Sequence, residues 1–191
     1  MRFSFAHRVF AVFLLCMLFS AASVAQALAA PDAVRVTPIT PPLQPFRWLV
    51  GGAWRADTSA LPGGTKYIET RYDLAPNGSA IRFTTAFVGP DGNPLPNGYA
   101  GNLYYDGAAK QTTLWYIDSH NAITQGPVTL AGDVWTMTFN SDGAIVGHPG
   151  PTDFRVDVAR RSNDAYHWTL FARTTSDWKP VFSLDYVRRT D

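Results

Sequence analysis

From Gly52 to Arg189 the chain is cut by a turn signal about every eight to twelve residues, a rhythm that leaves room only for short strands. Pro62-Gly63-Gly64 separates Gly52–Asp57 from Lys66–Leu74. Pro76-Asn77-Gly78 leads into Ser79–Val88 as a hairpin does; Asn77-Gly78-Ser79 is also a glycosylation sequon. Gly89–Gly98 reads as a longer loop holding Pro90, Pro94 and Pro96. Strands follow at Gly101–Tyr105, Gln111–Asp118, Ala122–Leu130 and Val134–Asn140. Asp142–Pro151 reads as a second long loop, before Asp153–Arg160, Ala165–Thr174 and Pro180–Arg189. The count is about ten strands.

Several of these segments alternate. Ile81, Phe83, Thr85 and Phe87 share one face. Phe154, Val156 and Val158 oppose Asp153, Arg155 and Asp157. Trp135, Met137 and Phe139 oppose Val134, Thr136 and Thr138. A period of two with one apolar face indicates an antiparallel sheet wetted on its other face. No segment sustains a helical period; the one helix candidate is a turn at Pro45–Val50. The expected fold is all-β: a single antiparallel up-and-down barrel of about ten strands. Closure removes the sheet edges, and the interior of such a barrel holds a small ligand.

The first residues read as a targeting signal. Arg2, His7 and Arg8 form a basic start, Val9–Phe19 is apolar, and small residues follow. Cleavage is expected after Ala29, with Ala27 the second choice. The apolar run falls short of the ~20 residues of a membrane span, so no stable span is expected after cleavage. Cys16, the one cysteine, leaves with the signal, and Leu15 before it does not suit lipid attachment. A mature chain without cysteine has no disulfide and no thiolate. The domain reading is a signal peptide over 1–29, a Pro-rich extended leader over 30–45 and one barrel domain over 46–191. The expected location is secreted or periplasmic.

Charge gives no sign of a polyanionic partner. Of 16 basic residues two, Arg2 and Arg8, leave with the signal, so 14 face 15 acids. No basic footprint for nucleic acid remains.

The segment Phe46-Arg47-Trp48-Leu49-Val50-Gly51-Gly52-Ala53-Trp54 resembles the short helix and Gly-x-Trp opening of lipocalin-like (calycin) barrels, with Gly52 in the glycine's place. Phe46 to Arg189 also resembles a DUF1579-like family of exported bacterial proteins. The shared pieces are the Trp54 opening, Tyr104-Tyr105-Asp106 with Leu114-Trp115-Tyr116-Ile117-Asp118, and the closing Trp178 to Arg188 pattern. The resemblance implies a barrel and export, and carries no activity. It also implies that an arginine of the last strand, Arg188 or else Arg189, packs over Trp54 and closes the barrel.

The candidate cavity residues are Trp54, Tyr67, Glu69, Arg71, Tyr116 and Trp135. Tyr67, Glu69 and Arg71 share one face of a strand, opposite Ile68, Thr70 and Tyr72. If that face lines the barrel, a carboxylate and a guanidinium orient a ligand's polar head; if it faces water, they are surface charges. Trp115, Trp135, Trp168, Tyr104, Tyr116 and Tyr166 are expected inside, as core or as ligand wall. No catalytic set emerges: there is no Gly-x-Ser-x-Gly and no cysteine after the signal, and Asp118 beside His120 reads first as turn chemistry. His120, His148 and His167 lack close-spaced metal partners. Neither a metal nor another cofactor is expected; for haem, His167 is the one strand histidine. The leading functional reading is an exported barrel that binds a small apolar or amphipathic molecule. The alternatives are an enzyme on a lipid-like substrate, using Glu69 or Asp118 with His120, and a structural barrel with a filled core.

Overall fold

The computed structural model describes residues 38–60, 63–141, 151–174 and 176–189. The signal peptide, the first part of the leader and most of the Asp142–Pro151 loop, with His148, lie outside the described residues. A 3₁₀ helix, Pro41–Leu49, comes first. Ten strands follow: β1 (Ala53–Asp57), β2 (Tyr67–Leu74), β3 (Ala80–Val88), β4 (Pro94–Asp106), β5 (Gln111–Asp118), β6 (Ile123–Ala131), β7 (Val134–Ser141), β8 (Thr152–Arg160), β9 (Ala165–Thr174) and β10 (Asp177–Arg189). Each pairs antiparallel with its sequence neighbours, and β10 pairs with β1, so the sheet closes as an up-and-down barrel. The expected fold class is what the chain adopts.

The alternating strands place their apolar residues inward. Ile81, Phe83 and Thr85 of β3, Trp135, Met137 and Phe139 of β7, and Phe154, Val156 and Val158 of β8 are all buried. Three strands begin earlier than the turn signals indicated, β8 by the single residue Thr152. β4 starts at Pro94, inside the expected loop, and β10 starts at Asp177 rather than Pro180. Pro94 and Pro96 lie where β4 pairs only with β3, since its first partner on β5 faces Tyr99. Pro180 lies where β10 pairs only with β9, beside a bulge. A missing N–H costs no ladder bond on a one-sided stretch.

The leader is corrected in its second half. Residues 38–45 belong to the domain, because Ile39 and Leu43 are buried with Phe46 and Leu49 in the core. Pro41 suits the helix start, where the first N–H groups lack partners in any case, and Pro45 lies within the helix. The segment is seated on the β2–β3 turn, where the Thr40 amide donates to the Gly78 carbonyl at 3.0 Å. Gly78 has φ +71°, and a Cβ there would lie 1.9 Å from the Pro38 oxygen, so this contact needs glycine. The helix thus plugs one end of the barrel, which its apolar residues could not do as a solvated leader.

Trp54 and Arg188 are direct partners across the β1–β10 ladder and share the inner face. The Arg188 guanidinium lies 4.2 Å from the Trp54 ring centroid. It donates to the carbonyls of Trp48, Gly51 and Val50 and to the Asp164 carboxylate. The Trp54 indole N–H donates to the Leu49 carbonyl at 2.8 Å. Helix and strand closure are therefore one unit.

Leu43→Ala is expected to lower unfolding free energy by about 2–5 kcal/mol, as for a fully buried leucine; chemical denaturation of the purified domain measures it. A loss under ~0.5 kcal/mol, the size of a surface change, would return 38–45 to the status of leader. Arg188→Lys is expected to cost about 1–3 kcal/mol despite the kept charge, because one ammonium cannot reach these acceptors while covering the indole.

Candidate functional site

Ten strands enclose more volume than the eight of a side-chain-filled barrel, since diameter grows with strand number. The inner residues do not fill this one. A cavity of about 310 Å³ remains. Its wall is aromatic: Tyr72, Phe83, Phe87, Tyr99, Tyr116, Trp135, Phe139, Tyr166, Trp168, Phe182 and Tyr186. It extends from the helix half of the barrel toward Phe87, Asp118 and Phe182, near the opposite end.

The floor rests on the closure unit. Trp54 packs on Tyr166 with ring centroids 4.9 Å apart, and Tyr166 stacks on Tyr186 at 4.7 Å. Trp54 itself is fully buried beneath the lining residues. Thr70 and Thr85, opposite each other on β2 and β3, join hydroxyls at 2.9 Å. The Tyr186 hydroxyl lies toward Thr70, that of Tyr99 toward Thr85, and that of Tyr72 toward Tyr166. Six hydroxyls therefore gather within an aromatic wall.

Burial keeps these phenols neutral. It pushes Tyr72 up to about 12, with Tyr166's hydrogen bond opposing. Tyr99, Tyr166 and Tyr186 are also raised, first by loss of water and then by neighbouring phenols. Tyr116 is raised by burial, with a hydrogen bond from Thr124 opposing and the Asp118 charge adding to the rise.

Of the residues that the sequence singled out, Tyr116 and Trp135 stand in the cavity wall. Tyr67, Glu69 and Arg71 do not. Thr70 is the cross-strand partner of Trp54, so the inner face of β2 carries Ile68, Thr70 and Tyr72. The other face points to solvent, where Glu69 bonds Arg55 at 2.5 Å and Arg71 at 2.8 Å. Partial burial pushes the Glu69 carboxyl up, but hydrogen bonds and charge from the two arginines outweigh it and hold the carboxyl low. Trp115 is also outward, since its neighbours Leu114 and Tyr116 take the inner face.

Of the groups named for the enzyme alternative, Asp118 alone stands in the cavity wall. Glu69 cannot reach the cavity. Asp118 accepts from the backbone amides of His120 and Ala122, at 2.8 and 2.9 Å, as a turn-forming side chain does. His120 is exposed. His167 points outward and meets Asp185 at 2.7 Å, so it offers no axial ligand to the interior. Among the described residues no three metal-ligating side chains come together, and no helix is long and apolar enough to cross a membrane.

The residues missed in the sequence are Tyr72, Tyr99, Tyr186, Thr70 and Thr85. The available signal was parity: Glu69, Arg71 and Asp73 put three charges on one face of β2, which marks that face as wet.

Compared with known proteins, the chain matches no family model and no curated protein. Among solved structures it is similar to the crystal structure of Rv2717c from M. tuberculosis, with a TM-score of 0.51 and 15% sequence identity, over 80% of this chain and 100% of that one. At that identity the likeness concerns the fold alone.

Alkaline titration is expected to be cooperative. Raised phenols leave stability unchanged below the unfolded tyrosine pKa of about 10, and stability falls as pH rises from there toward about 12. Phenolate absorbance of the five cavity tyrosines is expected to appear together with loss of near-ultraviolet circular dichroism. Full phenolate absorbance from a still-folded protein near pH ~10 would contradict the burial of these phenols.

Proposed function

We propose that this protein is a binding module, an exported barrel that holds one small apolar or amphipathic molecule. The observation that carries the reading is the unfilled aromatic cavity of about 310 Å³. That volume stands at the small end of the ~300–1,000 Å³ typical of ligand pockets. Apolar walls supply affinity through burial, and a few polar groups fix orientation. The hydroxyls of the floor and the Asp118 carboxylate are those groups here. Export is proposed from the basic and apolar start of the sequence. Membership of the lipocalin-like and DUF1579-like families is proposed from the Gly52-Ala53-Trp54 opening and the Arg188 closure.

Native mass spectrometry of the protein recovered from its exporting host tests this. An excess mass over the denatured polypeptide is expected, of a size that the cavity holds. Met137→Trp, which fills the cavity from β7, is expected to lose that mass. A bare polypeptide mass that stays bare with added hydrophobic ligands would count against the module reading and favour a structural barrel.

A further inference from the structure

We propose that the ligand is an organic cation, an amine or quaternary ammonium group carried on a compact aromatic or apolar body. The inference rests on reading the cavity as a ligand site. Two features of its wall carry the same sign.

The first is formal charge. Asp118 is the one acidic residue among the described lining residues, and no lysine, arginine or histidine joins it there. Both backbone bonds to Asp118 fall on Oδ1. Its negative charge has no cationic partner in the wall.

The second is the arrangement of rings near that carboxylate. Tyr116 lies two residues from Asp118 on the same face of β5. Its ring is 5.1 Å from Tyr99 and 6.4 Å from Phe83, centroid to centroid. Phe83 continues the wall to Tyr72 at 5.9 Å, and Phe87 meets Tyr99 at 6.1 Å. Aromatic faces are electronegative, and they attract a desolvated cation more strongly than an exposed one. A cage of rings is the usual receptor for quaternary ammonium groups.

The charge of Asp118 also sets the cavity against an acid, since a free fatty acid would bring a second negative charge to the wall that holds it.

The test compares three molecules of one shape: phenethyltrimethylammonium, its uncharged tert-butyl isostere, and phenylpropanoate. Quenching of tryptophan fluorescence reads binding, since Trp135 and Trp168 stand in the wall. The cation is expected to bind about tenfold tighter than the isostere or better, and phenylpropanoate most weakly. Asp118→Asn keeps the Oδ1 acceptor that its turn needs and is expected to remove the cation's advantage. Equal binding of cation and isostere, or an Asp118→Asn protein that keeps the full preference, overturns the cation assignment and leaves the cavity a binding site. Failure of all three to bind overturns the binding reading itself.

Discussion

The Arg188 guanidinium sits where the sheet's two ends and the plugging helix meet. Carbonyls at a helix C-terminus lack partners within the helix and need donors from elsewhere. Arg188 supplies them to Trp48 and to Val50 and Gly51 just beyond, while its flat face covers Trp54. Gly52 makes the approach feasible: φ is +71°, and a Cβ there would lie 2.9 Å from the Arg189 carbonyl oxygen and 3.2 Å from Arg188 Cγ. The stack Trp54–Tyr166–Tyr186 carries the same packing to the cavity floor. Whatever orders the closure also orders the floor.

The cavity has a geometric origin and a chemical one. The geometric origin is the strand number, which sets the bore. The chemical one is the choice of tyrosine and threonine for a wall that leucine or isoleucine would make more cheaply. A buried hydroxyl needs a partner to offset its lost water. Here hydroxyls gather from strands that are neighbours (Thr70 bonded to Thr85) and from strands that are not (Tyr72 toward Tyr166).

Much of the barrel was legible in the sequence, because period-two alternation and turn residues are local signals. β5 and β9 begin and end where the turns place them. The early starts of β4 and β10 were hidden by proline, whose meaning depends on whether a second strand pairs alongside. The burial of Ile39 and Leu43 was hidden for a related reason: a proline-rich stretch looks the same in sequence whether solvated or docked. At the site, Tyr116 and Trp135 were legible as inward aromatics. The face of β2 carried a signal in the charges of Glu69, Arg71 and Asp73, and the register that ties Thr70 to Trp54 and Arg188 agrees with it. The hydroxyl cluster joins six residues from five strands, a proximity that no local pattern encodes.

The order of strands has a consequence for how the chain reaches this state. Every ladder but one joins neighbours in sequence, so β1 to β9 can assemble by successive hairpins with modest loop-closure cost. The last ladder, β1 with β10, joins residues more than a hundred positions apart. Until β10 is in place, the growing sheet has two raw edges, β1 and β9, and edges of that kind recruit strands from other chains. A chaperone that shields nascent sheets would therefore be needed longest by this molecule at the moment before β10 arrives.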